Sequence, residues 1–161
     1  MLDYIPCVQV LVVRIHTDLQ NLSKDLRIKS SPERTYPIRS LEISTVNNIP
    51  FDHIENLLSN SFPRLEIFKY FFKIDAASQS SLDYLDDKRW EYLLQTLISL
   101  EDFSCSLELP VQSIIPINTF ERNTFFQKHH WHFLCQLYTY SLNTILRLHT
   151  KPYPKRRLDI M

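Results

Sequence analysis

The chain contains no glycine in its 161 residues, although an average usage of roughly 7% would give about eleven. Glycine adopts positive φ without a steric penalty and lets the backbone approach a bound phosphate closely. Glycine-rich phosphate-binding loops and the Gly-x-Ser-x-Gly turn of hydrolases are therefore excluded as recognisable motifs. We expect asparagines such as Asn47 and Asn48 to occupy the tight turns in its place.

A hexapeptide with apolar residues at its first, fourth and sixth positions recurs four times. The copies are VLVVRI, IRSLEI, LEIFKY and LEDFSC. Their starts at 10, 38, 65 and 100 are 28, 27 and 35 residues apart, and leucine-rich repeats are about 20–29 residues long. The polar segment at 75–81 is where we place an insertion in the last interval. The predicted core positions are Val10/Val13/Ile15, Ile38/Leu41/Ile43, Leu65/Phe68/Tyr70 and Leu100/Phe103/Cys105.

The segments between the hexapeptides have helical spacing of apolar residues, notably at 51–62 and 89–100. We expect Asp52 and Glu55 to form a capping box on the first of these helices. Asp86 or the next aspartate is expected to cap the second helix. We therefore assign the carboxylates of DYLDDKRWE to helix capping, with acid–base chemistry or cation binding as the alternative.

Alternating strands and helices at this interval predict parallel strands joined by right-handed crossovers. The predicted fold class is α/β, a leucine-rich-repeat-like solenoid fragment in which parallel strands alternate with helices. The predicted boundaries are a single domain over 1–161, repeat strands near 10–16, 38–44, 65–72 and 100–108, and an irregular C-terminal cap at 119–161. The alternative is a two-layer α/β domain in which the hexapeptides recur by coincidence.

Three longer segments, IRSLEIST, FPRLEIFKYFF and LDDKRWEYLLQTLISLEDF, resemble the repeat region of F-box leucine-rich-repeat-like proteins. The resemblance continues through the KRWE helix start at 88–91, the aromatic segment at 125–133 and the Pro-Tyr at 152–153 with nearby basic residues. It covers residues 8 to 157. It implies a non-enzymatic protein-interaction domain that is similar to the substrate-recognition part of a ubiquitin-ligase adaptor.

The resemblance does not include the F-box, because MLDYIPCVQVLVVRI leads directly into the first predicted strand. The chain is therefore expected either to be a fragment or to bind partners without recruiting a ligase. A ubiquitin-ligase adaptor is an expected partner only if an F-box exists upstream.

The predicted partner-binding residues lie on the concave face of the sheet, because alternate strand residues point away from the core. They are Arg14, His16, Glu42, Ser44, Ile67, Lys69, Phe71, Ser104 and Ser106. Ile67 and Phe71, which are apolar and predicted to point outward, are expected to anchor a protein partner. The alternative is that the insertion at 75–81 folds over them.

A histidine-rich segment, QKHHWHFLCQL at 127–137, is the other candidate site. Its alternation predicts a strand with Trp131, Phe133, Cys135 and Leu137 buried, and with His130 and His132 on the outer face. Two imidazoles are too few for a zinc site, which needs three or four protein ligands. We therefore predict no metal site here. We also predict no cofactor and no catalytic residue.

Charge and cysteine content narrow the remaining classes. The 18 basic and 18 acidic residues cancel, so no global field attracts nucleic acid, and no apolar run is long enough to span a membrane. Three widely spaced cysteines indicate an intracellular, cytoplasmic or nuclear protein. The alternatives are a truncated repeat fragment with no specific partner, and a small metal- or nucleic-acid-binding protein that uses the histidines and the basic tail at 151–157.

Overall fold

The computed structural model describes residues 10–16, 38–46, 49–73, 79–110, 118–140 and 143–151. Within them, six strands form one sheet in the order β1-β2-β3-β4-β6-β5. The strands are β1 Val10–His16, β2 Ser40–Val46, β3 Ile67–Lys73, β4 Asp102–Pro110, β5 His132–Tyr140 and β6 Asn143–Lys151. The helices are α1 Phe51–Ser61, a 3₁₀ helix Gln79–Leu85, α2 Asp87–Thr96, α3 Thr119–Arg122 and α4 Thr124–Lys128.

The first four strands are parallel and lie side by side in chain order. Leu41 is opposite Phe68, which is opposite Phe103, as the alignment of the last three hexapeptides predicts. In β1, however, Leu11 is opposite Leu41, whereas the hexapeptide alignment placed Val13 there. The first copy is therefore shifted by two residues, a shift that keeps its fourth and sixth positions in register with the core side, whereas Val10, predicted as a core position, is 38% exposed.

The prediction of a leucine-rich-repeat-like solenoid is wrong. β6 runs antiparallel to β4, and β5 runs antiparallel to β6, so the sheet is mixed. The region predicted as an irregular cap supplies two of its strands. Only two residues separate β5 from β6, and parallel strands need a crossover of a dozen residues or more. The strands of this segment therefore form a hairpin within the sheet.

The core lies between one face of the sheet and the helices. Phe51, Ile54 and Leu58 are the buried residues of α1, and their spacing of three and four places them along one side of the helix. Phe51 contacts the rings of Tyr84 and Trp90 edge-on, with centroids 5.1 and 4.9 Å apart. Burying one large apolar side chain contributes about 1.5–3 kcal/mol, so this aromatic cluster holds the helices against one another.

Helix capping follows the sequence in one helix and departs from it in the other. Asp86 caps α2, because its Oδ1 accepts from the backbone N–H groups of Lys88 and Arg89. That prediction is confirmed. The predicted capping box of α1 is wrong, since the N-cap residue is Pro50 and it makes no side-chain cap bond.

Backbone with positive φ occurs at one described residue, His130, where φ is 60°. His130 closes α4 and turns the chain into β5. Asn47 and Asn48, which were expected to form turns, lie outside the described residues. In the part of the chain that the structure describes, no helix combines the length and the apolar character needed to cross a membrane.

Candidate functional site

The sheet has a second face, on the side away from the helices. Its members alternate with the core residues along each strand. In the four parallel strands they are Val10, Val12, Arg14 and His16; Ser40, Glu42, Ser44 and Val46; Ile67, Lys69, Phe71 and Lys73; and Asp102, Ser104, Ser106, Glu108 and Pro110.

All nine residues predicted to bind a partner have register positions on this second face. The hexapeptide alignment would place Arg14 opposite Glu42 and His16 opposite Ser44. In the structure Arg14 is opposite Ser44 and His16 is opposite Val46. The side chains of Arg14 and His16 lie outside the described residues. The neighbour of Glu42 in β1 is Val12.

Burial divides the other predicted residues into two groups. Ile67, Lys69 and Ser104 are partly exposed, whereas the other four are buried: Glu42, Ser44, Phe71 and Ser106. Of the two predicted anchors, Ile67 thus offers accessible surface and Phe71 offers almost none. The binding role of these residues stays a prediction.

The alternative role for Ile67 and Phe71 was that the insertion at 75–81 folds over them. Its described residues, 79–81, begin the 3₁₀ helix. Tyr84 in that helix stacks on Phe72, with centroids 3.9 Å apart, and on Tyr70, at 5.9 Å. Both tyrosines and Phe72 belong to the core side of the sheet, so the 3₁₀ helix packs there through Tyr84, and residues 75–78 of the insertion lie outside the described residues.

Four residues form what we call the exposed patch: Val10, Val12, Ile67 and Lys69. The exposed fractions of Val10 and Val12 are 38% and 39%, and Ile67 and Lys69 are partly exposed. Val10, Ser40 and Ile67 lie in one row across three strands, and Val12, Glu42 and Lys69 lie in the next row. The patch thus joins apolar side chains on both sides of β2.

Glu42 lies in the middle of the exposed patch. Only 6% of its surface is exposed, and its Oε2 atom has no hydrogen-bond partner among the described residues. Buried polar atoms in folded proteins are nearly always hydrogen-bonded, because an unpaired one loses its hydration without compensation. A buried carboxylate oxygen without a partner is therefore the most unusual polar group of this face.

The antiparallel strands extend the second face with residues that sequence reasoning missed. Arg147 of β6 pairs with Glu108 at 2.6 Å, and its guanidinium lies 4.9 Å from the Tyr138 ring centroid. His149 is buried opposite Ser106, and its Nδ1 lies 3.0 Å from the Thr150 carbonyl oxygen. The alternating sequence TILRLHT, which lies in the predicted irregular cap, could have identified this strand.

The histidine segment departs from its predicted alternation at its C-terminal end. Trp131 and Phe133 are buried and His130 and His132 are exposed, as predicted, but Leu137 is exposed. The ring centroids of the two exposed histidines are 6.4 Å apart. Within the described ranges, no group of three or more His, Cys, Asp or Glu side chains is placed to hold a metal ion.

A pocket of about 330 Å³ lies between α3, α4 and the start of β5. Phe120, Trp131 and Phe133 form its apolar wall, while His132 and Lys151 lie at its edge. Phe133 is on the helix side of β5, so alternation places the His132 side chain on the other side of the sheet, and Lys151 is its partner across the ladder. His132 and Lys151 are nevertheless lining residues of this pocket, together with Glu121 and Gln127.

The carboxylates and thiols that could suggest catalysis have structural surroundings. Asp83 lies 3.2 Å from Arg89, and Asp86 is a helix cap. Burial raises the pKa of the Cys135 thiol to about 11 and raises that of Cys105 further. Both thiols are therefore protonated near neutral pH, and a protonated thiol is a poor nucleophile.

Comparisons with protein-family models, with curated proteins and with solved structures found no match to this chain. The resemblance to F-box leucine-rich-repeat-like proteins thus rests on the sequence segments alone. The mixed sheet removes the repeat architecture that this resemblance implied.

Proposed function

We propose that the chain is a non-enzymatic protein-interaction domain that binds a partner protein on the second face of its sheet. The observation that carries the proposal is the exposed patch. Val10, Val12 and Ile67 present apolar surface in neighbouring rows, next to the partly exposed Lys69. Clustered apolar residues with polar neighbours are typical of interaction surfaces, whereas isolated exposed ones are common and carry little information.

Position in the sheet supports the same proposal. β1 is an edge strand of the sheet described, and an edge presents unpaired N–H and C=O groups on the side without a neighbour. A partner that covers Val10 and Val12 therefore lies beside backbone groups that can form further hydrogen bonds with it.

The role in ubiquitin ligation is a narrower proposal. The segments that resemble F-box leucine-rich-repeat-like proteins favour recognition of a substrate protein. This narrower role also requires an F-box module, which the resemblance does not cover. Binding on the second face does not depend on it.

The test is a selection of peptide ligands from a random library with the full chain as bait. Affinities of the selected peptides are then measured for the wild type, Ile67→Asp and Ile98→Asp. Ile98 lies in the turn between α2 and β4 and is 89% exposed, so it is a matched control outside the second face. We expect Ile67→Asp to weaken binding at least about tenfold, because a carboxylate replaces an apolar contact worth about 1.5 kcal/mol or more.

Ile98→Asp is expected to leave the affinities unchanged. Peptides that bind both variants as tightly as the wild type would contradict the proposal. A failure to select any peptide would favour a fragment without a specific partner.

A further inference from the structure

We infer that Glu42 is the receptor for a basic side chain, arginine or lysine, of the partner protein. The inference rests on the proposed function and identifies the chemistry that the exposed patch recognises. The starting observation is the buried Oε2 atom, which has no hydrogen-bond partner in the described part of the chain. A donor that carries positive charge satisfies such an oxygen most strongly.

The depth of Glu42 selects the type of donor. Its neighbours in the row, Val12 and Lys69, are more exposed than Glu42 itself, so the carboxylate is recessed between them. A backbone N–H or a serine hydroxyl of a partner would have to enter below this rim. Arginine and lysine carry their charged groups at the end of long apolar stems, and such a stem can pack on Val12 and Ile67 while its charged group reaches the oxygen.

The local charge favours the same occupant. Among the side chains that the structure describes around the exposed patch, Glu42 and Asp102 are acidic and Lys69 is basic. Lys69 is the neighbour of Glu42 across the ladder, yet Glu42 Oε2 accepts no bond from it. Among these described side chains, negative charge exceeds positive charge, and Lys69 acts as the competitor of an added cation.

The direct test uses two small probes, N-acetyl-arginine methylamide and N-acetyl-norleucine methylamide. The norleucine compound has a similar apolar stem without the charge. Each is titrated into the full chain with ¹³C-labelled Val and Ile methyl groups, and the methyl signals of Val12 and Ile67 are followed. We expect the arginine probe to shift these signals saturably and the norleucine probe to bind at least about tenfold more weakly, as for loss of a charged hydrogen bond.

Two variants test the assignment to Glu42. Glu42→Gln, which keeps the shape and removes the charge, should weaken the arginine probe at least about tenfold. Lys69→Met, which removes the competitor, should strengthen it. Equal affinity of the arginine probe for the wild type and Glu42→Gln would overturn the inference, as would equal affinity of the two probes for the wild type or a lack of saturable binding.

A thermal unfolding measurement separates this role from an internal ion pair. If Glu42 lacks a partner in the free chain, Glu42→Gln raises the unfolding midpoint, because a buried unpaired charge is removed. If Lys69 pairs with it in solution, Glu42→Gln and Lys69→Met each lower the midpoint and the double variant is non-additive. That second result would overturn the inference.

The peptides selected for the proposed function distinguish the two proposals. Peptides that need Ile67 but bind Glu42→Gln as tightly as the wild type would overturn the role of Glu42 and leave the proposed function intact. Peptides that are indifferent to Ile67 would contradict the proposed function itself.

Discussion

A chain of hydroxyl groups connects three elements inside the core. Tyr70 donates to the Tyr84 hydroxyl at 3.1 Å, and Tyr84 donates to the Ile49 carbonyl oxygen at 2.7 Å. Thr45 Oγ1 lies 3.2 Å from the Tyr70 hydroxyl. A buried tyrosine lowers the free energy of the fold only when its hydroxyl has a partner. The pairing of these residues therefore determines how the 3₁₀ helix packs on the sheet.

Tyr84→Phe should destabilise the protein by about 1–3 kcal/mol, because the Ile49 carbonyl oxygen and the Tyr70 hydroxyl each lose the hydrogen bond to Tyr84. Urea unfolding measures the change. The control is Tyr92→Phe, since Tyr92 is 71% exposed and its substitution should be nearly neutral. A Tyr84→Phe variant as stable as the wild type would contradict the importance of this chain.

The same tyrosines predict a loss of stability in alkali. Burial raises the pKa of Tyr70 and Tyr84 above the ordinary tyrosine value. The folded state holds these protons more tightly than the unfolded state does. Their contribution to the free energy of unfolding is therefore complete below the pKa of tyrosine in the unfolded chain, near pH 10, and it is lost as pH rises beyond that value. The free energy of unfolding should fall by about 1.4 kcal/mol per pH unit for each tyrosine.

Urea unfolding at a series of pH values from neutral into alkali measures this slope. Tyr84→Phe should reduce it, because the proton that Tyr84 contributes to the slope is absent. A slope that is zero, or that is identical in the variant, would refute the explanation.

At the scale of elements, Arg89 connects two helices and the 3₁₀ helix. Its guanidinium pairs with Asp52 and, at 2.6 Å, with Glu55 of α1, and at 3.2 Å with Asp83 of the 3₁₀ helix. It also lies 4.8 Å from the centroid of the Phe51 ring. The hydrogen bond to Glu55, the largest cause, raises the pKa of Arg89, and that to Asp52 adds to it. The acidic residues that sequence reasoning assigned to a capping box thus bind this arginine.

Arg89→Met should destabilise the protein by about 1.5–3 kcal/mol, which is typical for hydrogen bonds to charged groups. The loss should shrink at high salt, because the ion pairs are partly exposed. Arg39→Met is the control, since Arg39 forms a single exposed pair with Glu66 at 3.3 Å, worth about 0–1 kcal/mol. Equal losses in the two variants would contradict a special role for Arg89.

At the scale of the molecule, the hairpin and the parallel strands share one core. Phe103 of β4 contacts Trp90 of α2 and Trp131 before β5, with centroids 5.5 and 5.6 Å apart. Leu148 of β6 is buried opposite Leu107 of β4. A core that is continuous across these contacts makes separate unfolding of the hairpin unfavourable.

We therefore expect one cooperative transition. Trp90→Phe and Trp131→Phe each leave one tryptophan, which reports on the hairpin side or on the helix side of Phe103. Within each variant, tryptophan fluorescence and far-UV circular dichroism should give the same urea midpoint. Midpoints that differ between the two probes in either variant would indicate two units.

Prediction from sequence succeeded where local spacing controls structure. Period-two alternation located the faces of β2 to β4, and helical spacing located α1 and α2, because each depends only on neighbouring residues. Asp86 was recognisable as a cap for the same reason. All nine predicted residues have register positions on the candidate face, and their binding role stays a prediction.

Which of those residues are accessible depends on the whole fold. Local sequence pattern was enough to establish the absence of glycine loops, the approximate strands and helices of the first 110 residues, and the faces of β2 to β4. Three features became known only from the folded chain: the last two strands run antiparallel, Phe71 is buried while Val12 is exposed, and Glu42 Oε2 has no described partner. Strand direction and burial depend on contacts between residues far apart in the chain, and local spacing carries no information about those contacts.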